Sequence, residues 1–179
     1  MINVIMHGCN GHMGRVVTEL IEQDDNVQIV AGIDAYTGID NKYPVFKSIK
    51  ECNVGADVII DFAVSSAVSD LLEYAVRTNT PVVLCTTGLT AEQLSMVDEA
   101  SQKVAILKSA NMSLGINTLM KLLRVAADVL AERGYDIEIV EKHHNQKVDA
   151  PSGTALALAD CINPVSYTHL RAHETELHL

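Results

Sequence analysis

The residues Glu141 to Ala155, Glu-Lys-His-His-Asn-Gln-Lys-Val-Asp-Ala-Pro-Ser-Gly-Thr-Ala, bring chemistry-bearing side chains together at unusual density. His143 and His144 can give or take a proton near neutral pH, where imidazole titrates, and Lys147 adds a compact positive charge. Pro151 to Thr154 reads as the start of a helix. Ser152 is suited to the N-cap, and Gly153 lets a ligand approach the backbone. The free N–H groups of such a turn attract a carboxylate or phosphate, aided by the helix dipole. The expected chemistry is an acid/base group beside an anion cradle.

A second constellation opens the chain. The apolar run Ile2 to Met6 is followed by Gly8, Cys9, Asn10, Gly11, His12, Met13 and Gly14, and then by a helical pattern. A strand, a glycine-rich turn and a helix form the opening of a dinucleotide-binding unit, in which the pyrophosphate rests on the helix N-terminus. The spacing is G-x-x-G-x-x-G, with Asn10 where the commoner fingerprint has its second glycine. No Gly-Lys-Ser/Thr follows, which disfavours a nucleoside-triphosphate loop. Asp34, at the end of the run Val27 to Ile33, stands where such folds place the acid that binds adenosine ribose hydroxyls. Ala35 follows it, so no arginine is there for a 2′-phosphate; NADH is expected over NADPH, with Lys42 or Lys47 as partial compensation.

These residues need elements to position them. Apolar runs at Ala56–Phe62, Pro81–Cys85 and Lys103–Lys108 alternate with helical patterns from about Ser65 to Arg77 and from Ala91 to about Ser101. Continuous Val/Ile/Leu runs between helices indicate a parallel sheet covered on both faces, with ligands beyond the carboxyl ends of its strands. The expected class is therefore α/β, a Rossmann-type doubly wound sheet. Ile116 to Arg133 carries a packing stripe (Ile116, Leu119, Met120, Leu123, Ala126, Ala127, Leu130), and Gly134 is its expected stop. Asp136 to Glu141 alternates apolar and acidic residues, the pattern of a strand with one wet face. Such a strand belongs to a different kind of sheet, so the first domain is expected at 1–110 and a partial α+β domain at 111–163.

The bulk properties narrow the field. The 179 residues are 48% hydrophobic and 20% charged, a globular composition, and the net charge of −10 argues against a basic nucleic-acid surface. Cys9, Cys52, Cys85 and Cys161 are scattered singly, without metal-ribbon or disulfide spacing, and are expected as free thiols in a reducing cytoplasm. The N-terminus lacks the basic start and apolar run of a signal peptide, and no apolar segment reaches membrane-spanning length.

The run from Glu141 to Ala155 matches every fixed position of E-x-H-H-x-x-K-x-D-x-P-S-G-T-A, and so closely resembles the signature of the 4-hydroxy-tetrahydrodipicolinate reductase family. The resemblance extends to a D-F-x segment at Phe62, a G-T-T-G-like segment at Cys85, Thr86 and Thr87, and an A-N-x-S segment around Ser109, Ala110, Asn111 and Met112. It implies that these contact a nicotinamide cofactor. Cys85 stands where the family often has glycine, and Met112 where it often has an aromatic residue. The implied activity is reduction, with NADH or NADPH, of a cyclic imine carrying two carboxylates, in the diaminopimelate and lysine pathway. His143 is the expected proton donor, and Lys147 serves both catalysis and substrate. Lys147, Ser152, Gly153 and Thr154 would hold a carboxylate, with His144 also on the substrate and Asp149 structural. The family implies a homotetramer formed through the second domain. A dinucleotide-binding regulatory protein is the alternative, and the His/Lys/Ser-Gly-Thr constellation argues against it.

Residues 164–179 read as a non-native tail resembling translated adapter sequence, and the chain as an N-terminal portion of a longer reductase whose activity in this form is open. The tail holds His169, His173 and His178, but His173 and His178 are five apart, where a zinc-binding pair on one helix face needs four. No metal site is expected.

Overall fold

The computed structural model describes residues 1–109, 111–131, 133–143 and 151–163. The chain divides into two units, Met1–Ser109 and Ala110–Leu179.

The first unit is a six-stranded sheet in the order β3-β2-β1-β4-β5-β6, every neighbouring pair parallel. Its strands are β1 (Ile2–His7), β2 (Val27–Ile33), β3 (Val45–Phe46), β4 (Val58–Asp61), β5 (Val82–Leu84) and β6 (Ile106–Lys108). The helices α1 (His12–Ile21), α2 (Val68–Thr78) and α3 (Ala91–Ser101) link β1 to β2, β4 to β5 and β5 to β6. The strands are rich in Val and Ile, whose branched side chains suit a pleated, covered surface. In β1 the residues Val4 to His7 are buried one after another, as a sheet packed on both faces requires. Ile5, Ile33, Ile59, Leu71, Val82 and Leu84 are sealed in its core, each worth about 1.5–3 kcal/mol of apolar burial.

The strand order reverses between β1 and β4, which opens a crevice at their carboxyl ends. In that register His7 pairs with Ile33 on one side and with Asp61 on the other. Two features differ from the sequence reading. The helix expected from Ser65 starts as a 3₁₀ turn, Ser65–Ala67, before α2 proper. The two-residue β3 was not foreseen, because so short an edge strand has no period to detect.

The second unit holds α4 (Leu114–Ala131) and α5 (Gly153–Ile162). α4 stops at Gly134, which takes a φ of 78° while its N–H bonds the Ala131 carbonyl and that of Tyr135 bonds Leu130. Within the unit Met120, Leu123 and Ala127 pack with Cys161 and Ile162, whereas Leu119, Ala126 and Leu130 of the expected stripe are exposed. The strand expected at Asp136–Glu141 is a correction: residues 135–143 have no regular secondary structure. Ile137 and Ile139 do turn to the same small core, so the alternation marks a buried side. A strand also needs a neighbour to accept its backbone bonds, and the described residues provide none there.

Candidate functional site

The glycine-rich turn is shaped by close backbone approach. Gly8 has a φ of +79°, and a Cβ there would lie 2.7 Å from the Phe62 carbonyl oxygen. A Cβ on Gly14 would come within 2.1 Å of the Gly8 carbonyl oxygen, so only glycine lets α1 start directly against β1. Gly11 caps α1 without a side-chain hydrogen bond, and the first turn carries no acid. The start of α1 thus has no side-chain cap for its first N–H groups. By contrast, Thr90 and Gln93 close the start of α3 with a reciprocal capping box.

Asp34 holds the turn from β2. Its Oδ2 accepts from the Asn10 N–H at 2.9 Å and its Oδ1 from the Tyr36 N–H at 2.9 Å. The Asn10 side chain donates to the Tyr36 carbonyl and accepts from the Asn41 amide at 3.0 Å. Asparagine in place of the second glycine therefore ties the turn to the loop after β2. Gly8, Asn10, Gly11, Asp34 and Phe62 line one cavity of about 410 Å³, with Lys47 on its wall.

At the back of this cavity lies a polar cluster that sequence reasoning missed. His7 Nδ1 is 2.7 Å from Asp61 Oδ1, and Asp61 Oδ2 accepts from the Thr86 hydroxyl at 2.6 Å. The Ala63 N–H also donates to Asp61 Oδ1 at 3.2 Å, and Asp61 is fully buried. The available signal was that β1 and β4, the two strands at the switch point, both end in a polar residue.

The remaining predicted positions of this unit are more dispersed. Cys9 is fully buried, with its sulfur beside Gly32 and Tyr43, so only its backbone belongs to the turn. His12 and Met13 are exposed on the first turn of α1. Cys85 and Thr86 are buried at the end of β5, Thr87 is exposed, and Ser109 donates its N–H to the Leu84 carbonyl. Burial and the nearby Asp34 carboxylate push the Cys9 thiol up to about 11, and burial with Asp61 raises that of Cys85. Neither thiol is primed as a nucleophile at neutral pH.

In the second unit, Ser152 caps α5 as expected, its hydroxyl accepting from the Ala155 N–H at 3.0 Å. Glu141 Oε1 accepts from the Ser152 N–H at 2.8 Å, while its Oε2 lies 3.3 Å from His143 Nδ1. The Asn111 amide donates to the Thr154 hydroxyl at 3.0 Å, and its Oδ1 accepts from the Ser113 N–H at 2.8 Å, so this side chain organises the starts of both helices. Gly153 is half-buried and Met112 exposed. Ala110, His144, Lys147, Asp149 and the three tail histidines lie outside the described residues. Among the described residues no group of three or more His, Cys, Asp or Glu side chains could hold a metal ion, and no helix is long and apolar enough to cross a membrane.

The strand order, the uncapped glycine turn and the acid just after β2 define a Rossmann-type fold of the dinucleotide-binding class. Two family profiles match nearly the whole chain: dihydrodipicolinate reductase N-terminus over residues 2–112, and dihydrodipicolinate reductase C-terminus over residues 115–178. The chain belongs to the dihydrodipicolinate reductase family, NAD(P)H-dependent oxidoreductases of lysine and diaminopimelate biosynthesis. It is 49% identical to 4-hydroxy-tetrahydrodipicolinate reductase of Caldanaerobacter subterraneus subsp. tengcongensis, aligning over 98% of this chain and 71% of that one. It is 50% identical to that of Clostridium perfringens, over 90% of this chain and 64% of that one. Among solved structures, dipicolinate-bound dihydrodipicolinate reductase from Paenisporosarcina sp. TG-14 superposes with a TM-score of 0.77 at 28% identity, covering 99% of this chain and 71% of that one. Myo-inositol 2-dehydrogenase from Lactobacillus plantarum, at 13% identity and a TM-score of 0.53 over 78% of this chain and 43% of that one, shares the fold alone.

Proposed function

We propose that this chain works in the reduction of 4-hydroxy-tetrahydrodipicolinate, with its first unit holding the dinucleotide and its second contributing the substrate-binding and proton-donating residues. The observation that carries the reading is the start of α1, which has no side-chain cap and whose N-cap residue Gly11 lines a cavity with Asp34 on its wall. That combination suits a pyrophosphate at the helix and a ribose at the acid. A bound nicotinamide supplies the hydride. The protein's part is to orient the reactants and deliver a proton, which we assign to His143. Lys147 and the first turn of α5 are assigned to a substrate carboxylate, and His144 to substrate binding; the acidic chain needs such a local positive site to attract a dianion.

The preferred cofactor is NADH. A carboxylate at the ribose position repels a 2′-phosphate, and Ala35 follows Asp34 where an arginine would neutralise it. Lys47 on the same cavity wall leaves room for weaker binding of NADPH. Lys47→Ala is therefore expected to weaken NADPH several-fold and leave NADH unchanged.

The test is a fluorescence titration of NADH into the chain, with and without pyridine-2,6-dicarboxylate, the ligand named for the Paenisporosarcina reductase. Tighter NADH binding in the presence of the dicarboxylate supports the reading. NADH binding that ignores the dicarboxylate would reduce it to a dinucleotide-binding domain.

A further inference from the structure

His7 ends β1 at the back of the cavity, and only one of its ring nitrogens is engaged within the chain. The residue is 5% exposed and lines the cavity together with Gly8, Gly11 and Asp34. Its Nδ1 is hydrogen-bonded to Asp61 Oδ1 at 2.7 Å. Asp61 also accepts from the Ala63 N–H and the Thr86 hydroxyl. An ionised carboxylate only accepts, so the ring keeps a hydrogen on Nδ1. Nε2 has no hydrogen-bond partner among the described residues, yet it is not sealed from solvent. On a residue of the cavity wall it therefore opens into the cavity. A strand end covered on both faces calls for Val or Ile, and a buried histidine is costly unless both nitrogens find partners.

We propose that His7 binds the dinucleotide directly, its Nε2 accepting a hydrogen bond from a hydroxyl of the adenosine ribose while Asp34 takes the other. This rests on the reading that the first unit holds the dinucleotide. With hydrogen on Nδ1, the neutral ring presents Nε2 as a bare acceptor. Asp34 is a second acceptor on the same wall, with capacity left beyond its bonds to the Asn10 and Tyr36 N–H groups. Two acceptors match the neighbouring hydroxyls of a ribose, each of which can donate; an ionised phosphate has no hydrogen to give them. The backbone donors nearby are already used: the Gly8 and Cys9 N–H groups bond the Ile33 carbonyl, that of Asn10 bonds Asp34, and that of Gly11 bonds the Gly8 carbonyl. Asp61 is then the positioning residue, fixing tautomer and direction of the ring through its other nitrogen.

The substitution that separates this role from packing is His7→Asn. The asparagine amide nitrogen stands where Nδ1 does and still donates to Asp61, while nothing stands where Nε2 does. NADH is expected to bind about fivefold more weakly, the worth of one hydrogen bond. Adenosine 5′-diphosphate and its 2′,3′-dideoxy form, each competing with NADH, locate the contact. The unsubstituted chain is expected to prefer the form with hydroxyls, and His7→Asn to narrow that preference. Equal weakening of both forms puts His7 on the phosphates and overturns the hydroxyl assignment. Urea unfolding shows whether the variant is folded. Should it not be, the ring is read in the unsubstituted chain by its long-range ¹H–¹⁵N spectrum, assigned through the backbone resonances of His7: saturating NADH is expected to move the Nε2 signal upfield and to leave the hydrogen on Nδ1. Unchanged NADH affinity in a folded His7→Asn, or an Nε2 signal indifferent to NADH, overturns the role of His7 and leaves the dinucleotide reading standing. An unsubstituted chain that binds no NADH overturns both.

Discussion

The imidazole of His7 and the carboxylate of Asp61 meet at 2.7 Å at the ends of two adjacent parallel strands, both shielded from solvent. Burial of a carboxylate is costly unless its lone pairs are satisfied. Asp61 meets this with three donors, His7, Thr86 and the Ala63 N–H. The cluster pins the ends of β1 and β4 and the start of the segment after β5, where the glycine turn and Phe62 border the cavity. Its stability contribution follows from what each deletion leaves unpaired. Asp61→Ala is expected to destabilise the first unit by about 3 kcal/mol, and Thr86→Val by about 1–2 kcal/mol. Urea unfolding of the two variants checks this, and equal, negligible effects would show that the cluster is not a structural lock.

Gly14 gives the sharpest steric prediction. A methyl group there meets the Gly8 carbonyl oxygen at 2.1 Å, and backbone cannot swing aside as a long side chain can. Gly14→Ala should cost about 3 kcal/mol and abolish measurable NADH binding, because relief requires α1 to withdraw from the turn. Retention of native NADH affinity would remove the close α1 approach as the basis of the site.

Asp34 ties down Asn10 and Tyr36 and still has acceptor capacity for ribose hydroxyls. Asp34→Ala is expected to weaken NADH by about tenfold or more, equivalent to about 1.4 kcal/mol. Fluorescence titration reads the loss. Improved affinity for NADPH in the same variant would locate the carboxylate at the 2′ position.

Stability should fall on the alkaline side. The Cys9 thiol is held up to about 11 by burial and Asp34, against 9.0 in the unfolded chain, and Cys85 is raised as well. Below pH 9 both states keep the Cys9 proton and its contribution is constant. Between pH 9 and about 11 the unfolded thiol ionises while the folded one does not, so this stability is lost as pH rises. Denaturant midpoints measured across that interval should decline, and Cys9→Ser should flatten part of the decline. A midpoint that rises would reverse the assigned cause.

Much of this molecule was legible in its sequence because the deciding physics was local. The glycine turn, the apolar runs of β1 and β2, the limits of α3, the Ser152 cap and the Gly134 stop each depend on a few neighbouring residues, through allowed φ, side-chain capping or burial on both faces of a strand. The tertiary structure decided whatever depended on register between distant segments. His7 and Asp61 are 54 residues apart and meet only because β1 lies beside β4. Asn10 joins Asp34 and Asn41 only once the loop after β2 folds over the turn. The pattern at Asp136–Glu141 correctly signalled a buried side, yet a strand is a relation between two segments, and no local pattern supplies the second. Glu141 shows the same division: its place in the signature was visible, but the reach of one carboxylate to both His143 and the start of α5 is a matter of distance in space.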